Sequence, residues 1–217
     1  MAERQDLYSI VVLGAMNPRI HHPSWYRLVG LFDEEEADIA TKTTGTLITP
    51  PLSQVQTPRL MIVCQDDRWE IRTSDSNEVS RLQDIASKIF DEILPHTPVT
   101  AIGFNFVLRR ATEAEDVGGY LATSLTNTPL GLRDTAAVSA ELTLRRSFED
   151  RIVVVSIHPA PEDKQSLLVA SNYEYRFRGE KIIKLGELIA RRYGIDKTDA
   201  EEQTALIVEA INSSVGD

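Results

Sequence analysis

Glu141 and His158 are the two side chains whose types and predicted positions come closest to acid–base chemistry. They lie opposite each other if Glu149-Asp150 forms the turn of a β-hairpin. A carboxylate that orients an imidazole is the beginning of a general base. No motif places a serine, cysteine or threonine to complete a nucleophilic site. A structural cross-strand pair is therefore the favoured interpretation.

A second set of candidates lies in a proline-containing loop, where His21, His22, Trp25 and Tyr26 follow closely on one another. These side chains could line a pocket for a small ligand, or the site of an unusual enzyme. Adjacent histidines on an extended loop point apart, whereas helical metal ligands are spaced by three or four residues, so no metal site is indicated. Simple packing of the loop is the alternative that the pattern favours.

A third set follows the outward face of the strands predicted in the second half of the chain. Its arginines suit carboxylate or phosphate recognition, because the planar guanidinium donates two parallel hydrogen bonds. The residues of this predicted polar face are Asn105, Arg109, Ser139, Glu141, Thr143, Arg145, His158, Asn172, Glu174, Arg176 and Arg178. The competing interpretation is a solvated face on which arginines and glutamates pair.

Bulk properties restrict the function classes further. The chain has 217 residues, a formal net charge of −10 and one cysteine, Cys64. The negative charge disfavours nucleic-acid binding, and a lone cysteine forms no intrachain disulfide. Neither a signal peptide nor a membrane-spanning run is visible, so a soluble cytoplasmic protein is expected. No phosphate-binding glycine loop, nucleophile elbow or paired-cysteine metal motif occurs, so the sequence predicts no cofactor and favours a non-enzyme.

The stretch 98–110 is predicted to be the central strand that organises the chain. Ile102, Phe104, Phe106 and Leu108 alternate with smaller or polar residues, which is the period of a β-strand. The amphipathic helix over 79–93 precedes it, behind a predicted capping box at 75–78.

The remaining predicted elements are a hairpin, five further strands and five helices. A hairpin over 59–65 and 68–74 places Cys64 opposite Trp69, as a core residue rather than a reactive thiol. Strands are predicted over 7–14, 46–49, 136–146, 151–157 and 166–177. Helices are predicted from Pro23, over 34–42 behind Asp33, over 112–125 behind a capping box, up to Tyr193 with Gly194 as its cap, and over 198–211.

The order of elements predicts an α+β protein with a single domain over 1–217. Two similar β-α-β-β-β-α halves, 7–94 and 99–193, would form one curved antiparallel sheet with helices on one face, and 195–213 would add a C-terminal helix. The halves repeat in pattern but not residue by residue. This plan resembles the saddle of the TATA-binding-protein fold in architecture alone, which implies nothing about DNA binding.

Two phrases, Asn17–Trp25 and Thr97–Asn105, together with the order of elements, resemble a sporadically distributed bacterial protein family. The resemblance implies the duplicated α+β plan and a bacterial or mobile-element origin, and it implies no catalytic residues. The first functional expectation is a recognition protein that binds a protein partner, or a second copy, through the polar face. The alternatives are a small-ligand binder or enzyme at the His21–Tyr26 loop and, third, nucleic-acid binding on the saddle.

Overall fold

The computed structural model describes residues 6–126, 140–177 and 184–215. They form a mixed α+β structure with one open, antiparallel, nine-stranded sheet and five α-helices, which confirms the predicted class. The strands are β1 Leu7–Gly14, β2 Leu47–Thr49, β3 Leu52–Gln56, β4 Met61–Gln65, β5 Arg68–Thr73, β6 Val99–Ala111, β7 Leu142–Ser147, β8 Ile152–Ala160 and β9 Asp163–Arg176. The helices are α1 Pro23–Leu28, α2 Glu34–Lys42, α3 Val79–Lys88, α4 Val117–Thr126 and α5 Leu185–Val215.

The strand order is β2-β3-β4-β5-β1-β6-β9-β8-β7. The first strand of each predicted half, β1 or β6, therefore lies in the middle of the sheet, and the other strands of that half follow outward in reverse sequence order. Internal duplication itself stays a prediction. Within the described part of the chain, no helix combines the length and apolarity needed to cross a bilayer.

Residue contacts divide the chain into two compact units. The first unit contains 7–105 and 174–195, and the described residues of the second unit are Asp6, 106–126, 140–173 and 196–215. Both β6 and α5 contribute residues to each unit.

The core of the first unit lies between helices and one face of its strands. Trp69 is fully buried, and its ring meets Phe90 edge-on with the centroids 5.2 Å apart. Phe104 meets Tyr193 of α5 in the same geometry, also at 5.2 Å. Burying each apolar side chain of this size contributes about 2 kcal/mol, so the aromatic contacts fix the helices on this face.

The core of the second unit is built on the alternate residues of β6, β8 and β9. Phe106 packs edge-on against Tyr173, with the ring centroids 5.8 Å apart. The hydroxyl of Tyr173 donates to the Asp199 carboxylate on α5 over 2.7 Å. This hydrogen bond satisfies the polar end of an otherwise buried ring.

Both predicted hairpin registers are confirmed, because the alternation of apolar and polar residues permits only one face to be buried. The observed partners are Ile62 with Ile71, Cys64 with Trp69, Val63 with Glu70, Met61 with Arg72, Leu142 with Ile157, Thr143 with Ser156 and Leu144 with Val155.

Strand β3 was not predicted from the sequence. Its buried positions are Ser53 and Val55, and the Ser53 hydroxyl donates to the main-chain carbonyl of His21. A serine in the core hides the apolar alternation that marks a strand. Pro50 and Pro51 form the turn into β3 rather than ending the sheet.

The prediction of two helices separated by Gly194 is wrong, since α5 runs without a break from Leu185 to Val215. Gly194 does not adopt the left-handed conformation of a helix cap. Packing holds the helix on both sides of this glycine, at Tyr193 against Phe104 and at Asp199 against Tyr173.

Two predicted capping boxes are also replaced by other contacts. Helix α4 begins at Val117, and the Asp116 carboxylate accepts a hydrogen bond from the Gly119 amide over 3.0 Å. Asp75 caps a 3₁₀ turn ahead of α3. There Glu78 forms ion pairs with Arg59 and Arg81 instead of bonding back to the cap residue.

The predicted cap of α2 is confirmed and supports a stability prediction. The Asp33 carboxylate accepts a hydrogen bond from the Glu36 amide over 2.8 Å. We expect Asp33→Ala to lower the free energy of unfolding by about 1 kcal/mol, because the amide loses its acceptor. Urea denaturation measures the change. Asp38→Ala on the same helix, which removes only an exposed ion pair to Lys42, is the control and should change it by less than about 0.5 kcal/mol.

Candidate functional site

The ladder formed by β7 and β8 brings together four of the eleven residues of the predicted polar face. We call it the β7 edge and define it by Glu141, Thr143, Arg145, Ser156 and His158. In the described sheet β7 is the terminal strand, and its residues 143–147 are all exposed. Leu144 remains 44% exposed, although its partner across the ladder, Val155, is buried.

The polar rungs of this ladder match the predicted register. The hydroxyls of Thr143 and Ser156 lie 2.9 Å apart and form a hydrogen bond. Glu141 Oε2 lies 3.2 Å from His158 Nδ1. The structure therefore brings Glu141 and His158 together, but Ser156, the nearest hydroxyl along β8, already bonds to Thr143. The His158 imidazole therefore has no hydrogen bond from a described hydroxyl that it could activate as a nucleophile.

The outer side of β7 carries main-chain groups that can accept another strand. The Phe148 amide donates to the Arg151 carbonyl over 2.8 Å, so Phe148 bonds toward β8. Because bonded residues alternate along an antiparallel strand, Leu144 and Leu142 also bond toward β8. The amides and carbonyls of Thr143, Arg145 and Ser147 consequently point away from the sheet.

Of the arginines near the β7 edge, some have an ion-paired partner and others have none among the described residues. Arg151 forms an ion pair with Asp150 at 3.5 Å and lies over the Phe148 ring, 4.9 Å from its centroid. Within the described residues, the guanidinium groups of Arg145 and Arg146 have no hydrogen-bonded or ion-paired partner.

Other residues of the predicted polar face in the second unit are held by internal contacts. Arg109 forms an ion pair with Asp163 at 3.2 Å, and its amide donates to Asp6. Hydrogen bonds to Asp163 from Ser166, from the Gln165 amide and from Arg109 lower the pKa of this carboxyl. Asn172 is half-buried.

The remaining members of the polar face lie in the first unit or outside the described residues. Asn105 donates from Nδ2 to the Ser9 hydroxyl over 3.1 Å. Glu174 and Arg176 form an ion pair with each other. Ser139 and Arg178 are outside the described residues. Arg109 and Arg176 thus have acidic partners within the chain, whereas Arg145 at the β7 edge has none among the described residues.

The predicted loop pocket is in part a packed cluster. His21 and Tyr26 are buried, and His21 Nδ1 lies 2.9 Å from the Tyr26 hydroxyl. Burial lowers the pKa of His21 to about 4 and raises the pKa of Tyr26. Trp25 meets the His21 ring edge-on at 4.9 Å, while the neighbouring His22 bonds to the exposed Ser24 hydroxyl. A neutral, hydrogen-bonded imidazole at this position stabilises the loop.

Cys64 is fully buried against Trp69, as its predicted register required. Burial raises the pKa of its thiol to about 12, so the thiol is protonated at neutral pH and is a poor nucleophile. Among the described residues no three His, Cys, Asp or Glu side chains are grouped so that they could hold a metal ion.

Sequence reasoning missed a cavity of about 160 Å³ in the first unit, at the end of β4 and β5. Arg72 and Arg59 are among its lining residues. The available signal was the predicted pairing of Arg72 with Met61, which sets an arginine opposite a residue without charge.

Comparison with known proteins adds no functional assignment. No protein-family model matches the chain, and no curated protein matches it in sequence.

Proposed function

We propose that this protein is an assembly protein, in which the β7 edges of two copies join as antiparallel strands. The observation that carries the proposal is the exposed strand β7, which is terminal in the described sheet: Glu141, just before it, and Arg145, which has no partner among the described residues, occupy the same face. An open strand edge is a template for pairing with another chain.

The sequence of β7 is complementary to itself in one register. A two-fold axis perpendicular to the sheet keeps each face on its own side, so that Thr143 can lie opposite Thr143 of the second copy. Glu141 then lies opposite Arg145 of the second copy, and Leu142 lies opposite Leu144 of the second copy. The charges on one face are paired in both directions, and the exposed Leu144 on the other face gains an apolar neighbour.

Neighbouring registers are less favourable. Centring the axis on Arg145 would place that arginine opposite its own copy, and like charges directly opposite each other are destabilising. Centring it on Leu144 would place Leu142 opposite Arg146. The main-chain groups of Thr143 and Arg145 point outward from the sheet. In the favoured register they face outward-pointing main-chain groups of the second copy, so hydrogen bonds between the two strands can form.

A charge exchange tests this register. Arg145→Glu and Glu141→Arg should each weaken self-association at least tenfold, because each places like charges in opposition. An equimolar mixture of the two variants should restore association, since both cross-strand positions then carry opposite charges. Sedimentation equilibrium over a concentration series at physiological salt measures the association.

Two control variants separate this effect from other causes. Arg19→Glu makes the same charge change at an exposed residue of the 3₁₀ helix Pro18–Ile20 and should leave association unchanged. His158→Gln removes the contact that Glu141→Arg also breaks, and it should preserve association. A chain that stays monomeric at every concentration, or a mixture that does not associate, would contradict the proposal.

A further inference from the structure

The cavity in the first unit is lined by an arginine, Arg72, whose charge is not neutralised by any acidic group among the described residues. Arg72 lies on the face of β5 opposite the buried Ile71 and Thr73, where Met61 is its neighbour across the ladder. Its Nη2 lies 2.8 Å from the Met61 sulfur. Within the described residues, no other hydrogen bond or ion pair of the Arg72 side chain occurs.

A thioether is a weak, neutral acceptor, whereas a guanidinium carries five N–H donors and a permanent positive charge. Partly buried charges normally have an ionic partner, because removal from water is costly. Arg68, on the same strand as Arg72, does have such a partner, because it forms an ion pair with Glu70 at 2.8 Å. Among the described residues, therefore, none supplies the anion that the Arg72 guanidinium would bind.

The second arginine at the cavity is already neutralised. Arg59 Nη1 lies 2.8 Å from a carboxylate oxygen of the largely buried Glu78. Its main-chain carbonyl accepts a hydrogen bond from the Thr73 hydroxyl over 2.7 Å, which fixes the loop that forms one wall. The positive charge that remains for a ligand is thus that of Arg72, and it favours a monoanion.

The other walls combine apolar and polar groups. Leu7, Pro58 and Leu60 supply apolar surface. The exposed Ser74 at the end of β5 supplies a hydroxyl that forms no other hydrogen bond among the described residues. A cavity of roughly 150 Å³ accommodates a ring the size of benzene, and this one measures about 160 Å³.

We propose that this cavity is a binding site for a small carboxylate with a compact apolar body, in which Arg72 holds the carboxylate through two parallel N–H groups. Ser74 donates a further hydrogen bond, and the apolar body lies against Leu7, Pro58 and Leu60. The site is independent of association through the β7 edge, and nothing in its geometry requires catalysis.

Benzoate is a suitable probe, because it combines a carboxylate with a ring that the cavity can hold. Titration of the full chain with sodium benzoate, followed by ¹H–¹⁵N NMR, should shift the amides of residues 56, 57, 59–61 and 72–74 in a saturable manner. Benzamide, which has the same shape without the charge, should bind at least tenfold more weakly. Inorganic phosphate tests whether the site binds any anion. Equal binding of phosphate and benzoate would contradict the proposal that the ligand is a carboxylate with an apolar body.

Two arginine variants make the test specific. Arg72→Gln should weaken benzoate binding at least tenfold, whereas Arg68→Gln, on the same strand and face, should leave it unchanged. Arg72→Lys should recover only part of the affinity, because an ammonium cannot hold both carboxylate oxygens in one plane. Absence of saturable shifts in the wild-type protein, or equal binding by the wild type and Arg72→Gln, would overturn the proposal. The NMR spectra report folding of each variant directly.

Discussion

Replacing Gly14 with alanine is expected to lower the free energy of unfolding by about 3 kcal/mol, because the added methyl group would overlap neighbouring main-chain atoms. A Cβ atom at this position would lie 2.1 Å from the Pro98 carbonyl oxygen and 3.0 Å from the Val99 Cα. These are main-chain atoms, so no side-chain rotation relieves the contact. The Ala15 amide donates a hydrogen bond to the Pro98 carbonyl over 3.0 Å, and this bond holds the two segments of the chain close together.

Chemical denaturation of the wild type and the variant measures this loss. Gly194→Ala is a matched control in the same unit, because a Cβ atom there meets nothing within 4 Å and the residue lies inside α5. This control should raise stability by about 0.5–1 kcal/mol, since alanine favours a helix over glycine. The two glycines should therefore respond with opposite signs. A Gly14→Ala variant as stable as the wild type would show that β1 and β6 can separate at this point.

The buried imidazole of His21 is expected to make stability depend on pH in the window between about 6.5 and 4. Burial lowers the pKa of His21 from 6.5 to about 4 in the folded protein, so the unfolded chain binds more protons in that window. Stability is then greatest above the unfolded pKa, falls as the pH falls through the window and levels off below the folded pKa. The contribution lost is about 3 kcal/mol at most, since each pKa unit corresponds to about 1.4 kcal/mol.

Comparing urea denaturation at pH 7 and pH 4.5 for the wild type and His21→Gln isolates this contribution, because the carboxylates titrate in both proteins. The fall in stability should be larger in the wild type by most of the 3 kcal/mol. His22→Gln, which changes the adjacent histidine, should behave as the wild type does. NMR titration of the wild-type imidazoles provides a second measurement that does not depend on folding of a variant, and a His21 pKa near 6.5 would contradict the expectation.

Several features could be predicted from the sequence because they depend on local pattern. The alternation of Ile102, Phe104, Phe106 and Leu108 defines the central strand and its buried face. The same rule of period two fixes the registers of both hairpins, and with them the contact of Glu141 with His158. Asp33 caps α2 because its carboxylate reaches an amide only three residues away.

Other features depend on contacts between residues distant in sequence. Ser53 occupies a core position because its hydroxyl meets the carbonyl of His21, so β3 lacks the pattern of a buried strand. Gly194 lies within a continuous helix because packing of Tyr193 and Asp199 holds the chain on either side. Local propensity at these positions is worth about 1 kcal/mol, which long-range packing readily exceeds.

The candidate sites, too, depend partly on local sequence pattern and partly on contacts between distant residues. Residue types and strand period by themselves determined which side chains share the polar face of β7 and β8, since side-chain direction alternates along any strand. Only the tertiary structure decided which of them are available. It gave Arg109 and Arg176 acidic partners, buried His21 with Tyr26, and left Arg145 at a strand edge and Arg72 in a cavity, because availability depends on what the rest of the chain brings within hydrogen-bonding distance.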